Sequence, residues 1–201
     1  MEIKNKISRD FARLLLMKNE VVLVNEKDEV LGTAEKLAAH QNGGQLHRAF
    51  SLFIFNSQGE MLLQKRASCK YHCPDLWTNA CCSHPNLERS IEESAKIRLK
   101  EEMGMSCGEI SREFSFIYRQ EFDNGLTEYE LDHVLTAISD ELPSLNLEEV
   151  GEFKYIKISD LYEELAENPA APRKAVAKFT IWFKIIFADE RFKEVLDKFL
   201  K

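Results

Sequence analysis

Apolar positions along this chain fall into short runs whose period changes in a definite order. Val21-Val22-Leu23-Val24 reads as a short buried strand, closed by the polar turn Asn25-Glu26-Lys27-Asp28. Between Ala49 and Phe55 both faces are apolar, with Phe50, Leu52 and Ile54 on one and Phe53 and Phe55 on the other. Such a strand belongs in a sheet covered on both sides. The turn Asn56-Ser57-Gln58-Gly59 then returns the chain through Met61-Leu62-Leu63 as a hairpin partner. Over Leu87–Met103 the period lengthens: Ile91, Ala95, Leu99 and Met103 recur every fourth residue and predict a helix ending at Gly104. Arg98 and Glu102 lie four apart on a neighbouring row. Strands are predicted near Glu113–Glu121 and Glu128–Ile138, joined by Asp123-Asn124-Gly125, and again over Phe153–Ile158. Helices over Ser159–Glu167, Lys174–Phe187 and Glu190–Leu200 close the chain, the first two separated by Pro169 and Pro172. This order predicts a mixed α/β sandwich in one domain over residues 1–201, with a core over about 18–188 and a C-terminal helix over about 190–200.

Composition narrows the classes. In 201 residues, 44% are apolar and Gly and Pro number 8 and 5, which suits a folded chain and not a disordered one. Lys and Arg total 27 against 34 Asp and Glu, a net charge of -7, which argues against a nucleic-acid partner. No apolar run reaches the roughly 18–20 residues of a membrane span. Residues Met1–Lys6 lack the apolar stretch of a signal peptide, so the expectation is a cytoplasmic protein. Five cysteines, two of them vicinal, do not suit a disulfide framework. The apolar side of the C-terminus, Phe192, Val195, Leu196 and Phe199, could pack on its own domain or on a partner. Oligomeric state is left open by this, a monomer included.

Three local clusters could carry chemistry. Asn79-Ala80-Cys81-Cys82-Ser83-His84-Pro85 places thiols close to an imidazole, and reads either as a turn with a buried cysteine or as a reactive thiol near a metal. A structural zinc site is a further alternative, although the spacing Cys69-x3-Cys73-x7-Cys81-Cys82 matches no common ligand pattern. In Glu128-Tyr129-Glu130-Leu131-Asp132 a strand would put three carboxylates on one face, about 7 Å apart, repelling by about 2.4 kcal/mol per adjacent pair at an effective dielectric of about 20. An exposed edge strand would relieve this through solvent; a bound cation would turn it into attraction. His40 and His47 flank Asn42-Gly43-Gly44, and a loop there could bring both rings to one ion. With His84, Glu128 and Glu130 they form a donor set suited to Zn, Mn or Mg.

Taken in order, these segments resemble the type I isopentenyl-diphosphate Δ-isomerases of the Nudix superfamily. The resemblance is carried by Glu35-Lys36-Leu37-Ala38-Ala39-His40, Leu46-His47-Arg48-Ala49-Phe50, Lys65-Arg66-Ala67, Trp77 through Pro85, Glu101-Glu102-Met103-Gly104, Glu128-Tyr129-Glu130 and Phe179-Thr180-Ile181-Trp182. It implies a Nudix-type α/β/α sandwich with a mixed sheet, and exchange between isopentenyl and dimethylallyl diphosphates, a homoallylic and an allylic small molecule. An ordinary Nudix diphosphohydrolase is the alternative. Its box, Gly-x5-Glu-x7-Arg-Glu-apolar-x-Glu-Glu-x-Gly-apolar, aligned on Glu101-Glu102-Met103-Gly104-Met105, puts Ser83 at the first Gly and Arg89 at the first Glu. Ile97 and Arg98 then stand at the Arg-Glu pair, so two carboxylate positions of a hydrolase hold Arg. A silent metal- or diphosphate-binding domain is a third reading.

The same resemblance implies the roles. Moving a double bond through a carbocation-like species needs an acid and a base on opposite sides of a flat alkene; Cys82 would serve one side and Glu130, backed by Tyr118, the other. Trp182 would face the cation with its π-system. His40, His47, His84, Glu128 and Glu130 would hold one divalent ion (Mn2+, Zn2+ or Mg2+), and Glu102 a Mg2+ that bridges the diphosphate. Lys36, Arg66, Lys70 and Arg98 would form a local basic pocket for the remaining charge. Three departures stand out: Cys81 precedes Cys82, Ser83 replaces a common glycine, and Ile181 replaces a common proline before Trp182.

Overall fold

The computed structural model describes residues 19–70, 72–165 and 178–200. Residues 166–167 and 174–177 of the predicted helices, with Pro169, Pro172 and the segment Met1–Lys6, lie outside the described residues. Contacts divide the chain into two compact units. The first holds the described residues up to Ala49 with His84–Ser90 and Phe116–Asp132; the second holds Phe50–Ser83, Ile91–Ser115 and the described residues from His133. Three strands, β3 (His47–Phe55), β7 (Ser111–Glu121) and β8 (Thr127–Ile138), contribute one end to each unit.

In the first unit, β1 (Glu20–Val24) pairs antiparallel with β2 (Val30–Glu35) and, at Leu23, with His47 of β3. Val22, Val24 and Leu131 form its small core, with Leu46 packed against them. Helix α1 (Lys36–His40) starts where the Glu35 carboxylate accepts from the Ala38 N–H at 2.8 Å, an N-cap bond. It stops at His40 because Asn42, Gly43 and Gly44 turn left-handed, at φ 53, 91 and 76°. A side chain at Gly44 would also meet Thr127 at 3.1 Å, so this turn needs glycine twice over.

The second unit is organised by β3. Phe50, Leu52 and Ile54 face α2 (Ile91–Met103), whose predicted row Ile91, Ala95, Leu99 and Met103 is buried in the same cluster. From the other face Phe53 meets Phe183 and Phe192, and Phe55 stacks on Phe199 at 3.8 Å. Those rings belong to α4 (Ile181–Ala188), α5 (Glu190–Asp197) and the turn after it. Helices on both faces make an α/β/α sandwich, and the C-terminal apolar side is covered by its own unit. Strands β4 (Glu60–Arg66), β5 (Trp77–Asn79), β6 (Cys81–Ser83) and β9 (Val150–Lys157) complete the pairing: β4 pairs β3, β5 and β9, and β6 pairs β3, all antiparallel. Trp77 and Phe179 add a parallel bridge, so the sheet is mixed. Helix α3 (Ile158–Leu165) follows β9.

Several expectations shift. Helix α2 begins at Ile91, not Leu87: the Asn86 side chain accepts from the Glu88 N–H at 3.1 Å, and Leu87, 55% exposed, has no apolar face to join. The carboxylates of Glu128, Glu130 and Asp132 are buried, which removes the exposed edge strand as an explanation. The segment from Trp77 to Ser83 forms two short strands instead of a plain turn. No described helix is long and apolar enough to cross a membrane.

Candidate active site

The first unit gathers five of the predicted ligands. One donor atom each from His40, His47, His84, Glu128 and Glu130 lies within 4.8 Å of every other. The end of α1 supplies His40, the start of β3 supplies His47, and β8 supplies both glutamates from one face. Backbone carbonyls set the imidazoles: His40 Nδ1 donates to Lys36 O at 2.6 Å and His47 Nδ1 to Gln45 O at 2.8 Å. A carbonyl only accepts, so each Nδ1 carries the proton and each Nε2 turns inward. Inside, His40 Nε2 meets Glu128 Oε2 at 3.0 Å, His47 Nε2 meets His84 Nε2 at 3.2 Å, and His84 Nε2 meets Glu130 Oε1 at 2.9 Å.

Electrostatics favour the ligating forms of His84 and Glu130. Burial, reinforced by the Lys36 charge, pushes His84 down to about 3, so it is a neutral imidazole. Burial alone would raise Glu130, yet its bonds to His47 and His84 outweigh that and hold it well below the usual carboxylate range. Burial would lower His40, but Glu128 raises it overall. Tyr118 donates its O–H to Glu130 Oε2 at 2.6 Å; burial first, then Glu130, Glu128 and Asp132, push its phenol well above the ordinary range. Three nitrogens and two carboxylate oxygens converging on one point fit a divalent ion. The loop between His40 and His47 is pinned by Arg119, which donates two N–H groups to Gly43 O at 3.0 and 3.2 Å.

In the second unit, β6 turns the vicinal cysteines to opposite faces. Cys81 is fully buried in the α2 core, and burial followed by the Glu102 charge pushes its thiol well up. Cys82 is half-buried; its thiol donates to Asn79 Oδ1 at 3.0 Å and lies 3.6 Å from Ser51 Oγ. Trp182, on α4, is buried, and its indole N–H donates to Thr78 Oγ1 at 3.0 Å. The departure at Ile181 does not disturb that helix, which starts at Ile181 itself.

Two of the basic residues expected to bind the diphosphate are ion-paired within their own unit. Arg98 donates to Glu101 at 2.7 Å and Glu102 at 2.6 Å, and lies 3.6 Å from Glu149; Lys70 is also paired with Glu149. The reason is general: charges withdrawn from water need partners. Arg66 donates to His72 O and stands 5.5 Å from the Trp182 ring centroid. Lys36 belongs to the first unit, where its carbonyl holds His40.

Residues without an assigned role complete these arrangements. Gln64, buried at the end of the run Met61-Leu62-Leu63, donates one amide to both Ala80 O at 3.0 Å and Glu102 Oε2 at 3.1 Å. A polar residue inside an apolar strand is the signal that could have found it. Thr78 and Asn79 were visible in the cysteine segment, but their partners were not. Glu149 lies far along the chain from Lys70 and Arg98, and no local pattern links them.

Residues 45–179 match the Nudix domain model, a stretch that takes in segments of both units. Among solved structures, DR0079 from Deinococcus radiodurans superimposes with a TM-score of 0.60 at 19% identity, over 90% of this chain and 99% of that one. The MutT protein of Methanosarcina mazei gives 0.53 at 16% identity, over 76% and 94%. Fold and sequence together therefore define a Nudix protein. Within that class, the isopentenyl-diphosphate Δ-isomerase 2 of Aromatoleum aromaticum is 44% identical over 76% of this chain and 80% of its own length. The isopentenyl-diphosphate Δ-isomerase of Pectobacterium atrosepticum is 42% identical over 84% and 89%, and the corresponding isomerase 2 of Photorhabdus laumondii 41% over 87% and 94%. The chain belongs to the isopentenyl-diphosphate Δ-isomerase family.

Proposed function

We propose that this protein is an enzyme that interconverts isopentenyl and dimethylallyl diphosphates. One observation carries the choice between isomerase and hydrolase. On α2, Arg98 stands where the Nudix box has a glutamate and is bonded to Glu102, so the hydrolytic carboxylate cluster is replaced by an ion pair. A carboxylate-poor box leaves the diphosphate intact, as isomerisation requires. The names of the relatives support the same choice.

Cys82 and Glu130 take the two proton transfers: one protonates the terminal alkene carbon, and the other removes a proton from the carbon on the far side of the resulting tertiary centre. Tyr118 holds Glu130 through its 2.6 Å bond. Trp182 supplies the π-face for the developing cation. Lys36, Arg66, Lys70 and Arg98 bind diphosphate oxygens, Lys70 and Arg98 by exchanging carboxylate partners for phosphate ones. His40, His47, His84, Glu128 and Glu130 would hold a divalent ion, Mn2+, Zn2+ or Mg2+, and Glu102 a Mg2+. Bound there, the two ions supply charge that orients Glu130 and neutralises the diphosphate. The protein works as a single domain in the cytoplasm on this small molecule, with no nucleic-acid partner.

Incubation with isopentenyl diphosphate and Mg2+ tests the reading. Dimethylallyl diphosphate with no released phosphate is expected. Inorganic phosphate would instead identify a hydrolase, and recovery of unchanged substrate a silent domain.

A further inference from the structure

Thr78 is wholly buried on β5, and its hydroxyl has three partners. Trp182 Nε1–H donates to it at 3.0 Å, Thr180 Oγ1–H donates at 2.9 Å, and Thr78 itself donates to Asn79 Oδ1 at 3.0 Å. The directions are forced by chemistry. An indole N–H only donates. Asn79 commits both amide protons to carbonyls, Leu52 O and Cys81 O, each at 3.0 Å. Its Oδ1 therefore faces Thr78 and Cys82 and can only accept from both. Through one hydroxyl and one amide, the indole of Trp182 is linked to the thiol of Cys82.

A second observation comes from the start of α4. Thr180 is its N-cap residue, at φ -62 and ψ 156°, yet its side chain makes no capping bond. Threonine at this position ordinarily returns its oxygen to the helix N–H groups. Here the hydroxyl goes to Thr78 instead, while the Thr180 N–H donates to Trp77 O at 3.0 Å and fixes the backbone alongside β5. A local rule is broken in favour of the buried node, as happens where a structure serves function before stability.

We propose that Thr78 is a positioning residue for the isomerisation. Its hydroxyl sets the rotation of the Trp182 ring and, through Asn79, the direction of the Cys82 thiol. The inference rests on the isomerase reading above. The Thr78 hydroxyl bonds Trp182, Thr180 and Asn79 and no basic residue or Glu102. The nearest basic group, Arg66, meets the node through the Trp182 ring face at 5.5 Å, so loss of the hydroxyl acts mainly on turnover and much less on substrate affinity.

The test compares Thr78→Val, which keeps shape and loses the hydroxyl, with Thr78→Ser, which keeps the hydroxyl. In Thr78→Val, kcat should fall by about 10- to 100-fold with little change in KM, the size expected when a reacting group is misplaced by about 1 Å. Thr78→Ser should recover most of the loss. In parallel, hydrogen exchange of the Trp182 indole proton is followed by NMR, with Trp77→Phe used for assignment. That proton should exchange slowly in wild type and Thr78→Ser, and faster in Thr78→Val. A folded Thr78→Val with normal kcat overturns the proposal, and so does a Thr78→Ser as impaired as Thr78→Val, which would make the methyl group the important part. Should Thr78→Val not fold, a wild-type Trp182 indole proton that exchanges as fast as an exposed one is equally decisive against it. Failure of the isomerase reading looks different: wild type makes no dimethylallyl diphosphate while the indole proton stays protected, and the positioning role then falls with the reading.

Discussion

The His/Glu cluster of the first unit is a buried array of ionisable groups and the Arg98 network of the second a half-buried one, and they are built on opposite plans. In the cluster, acceptor atoms converge: three imidazole nitrogens, with His47 and His84 at 3.2 Å, and two carboxylates. In the network, two cations, Arg98 and Lys70, are matched against Glu101, Glu102 and Glu149. The cluster gathers lone pairs that a cation from outside can complete; the network already contains its counter-charges. Converging lone pairs tolerate burial only if something positive arrives. A paired network tolerates burial by itself, and a ligand must then compete with its internal bonds. The two regions should accordingly answer differently to the same perturbation.

The largest difference should come from removing a converging donor. His47→Ala takes away one of five ligand atoms, so bound divalent metal, measured by atomic emission, and isomerase activity should fall together, activity by at least about 100-fold. Full activity at unchanged metal content would mean that the cluster is merely a buried hydrogen-bonded group. His47→Ala should leave the Arg98 network untouched.

A smaller effect is expected from Glu102→Gln, which turns the charge-assisted 2.6 Å bond from Arg98 into one to a neutral amide oxygen. Arg98 would keep Glu101 and Glu149, so unfolding in urea should show a loss smaller than the roughly 1.5–3 kcal/mol of a whole hydrogen bond to a charged group. Metal content at the His/Glu cluster should stay at the wild-type level while Mg2+-dependent substrate binding weakens. Loss of both together would erase the distinction between the regions.

How much of this could be read beforehand depends on how local each feature is. The α2 row of Ile91, Ala95, Leu99 and Met103 was legible because a buried helix face repeats every fourth residue. The double apolar face of β3 was legible for a similar reason. Strand β2 was not: Val30 and Leu31 are exposed, at 48 and 68%, and Gly32 interrupts the run, so no buried face repeats. The three-residue strands β5 and β6 are too short to show any period. For the site, the five candidate ligands could be named from residue type and family resemblance, and the structure brings their donor atoms together. Partnership could not be named this way. Glu149 neutralising Lys70, and Thr180 serving Thr78 instead of its own helix, are contacts between distant segments that no spacing encodes.

The smallest expected effect is also the one that separates the regions most cleanly, because they respond to acid in different pH windows. His84 is held at about 3 by burial and by the Lys36 charge, against 6.5 for a free histidine. Below pH 6.5 the unfolded chain takes up a proton that the folded one refuses, so stability of the metal-free protein should decline from about pH 6.5 downwards. His40 has the opposite sign: Glu128 raises it against the pull of burial, so its contribution is fully present below 6.5 and is lost only as pH rises through its folded value. The two histidines therefore do not cancel on the acid side. Glu149 belongs to the other region. Burial pushes it up, but Lys70 and Arg98 together bring it below the ordinary 4.5. Its contribution is present above pH 4.5 and is lost only as pH falls through that lowered value. At about a quarter exposed it should amount to no more than about 1 kcal/mol. Urea unfolding of metal-free wild type between pH 8 and pH 3.5 should thus show an early decline, and Glu149→Gln should lower the curve evenly above pH 4.5 and change its slope only at the acid end. A divalent ion bound at the cluster deepens the early decline, since protons and metal compete for the same nitrogens. If Glu149→Gln altered the decline near pH 6, the two arrays would be coupled, and the contrast drawn between them would fail.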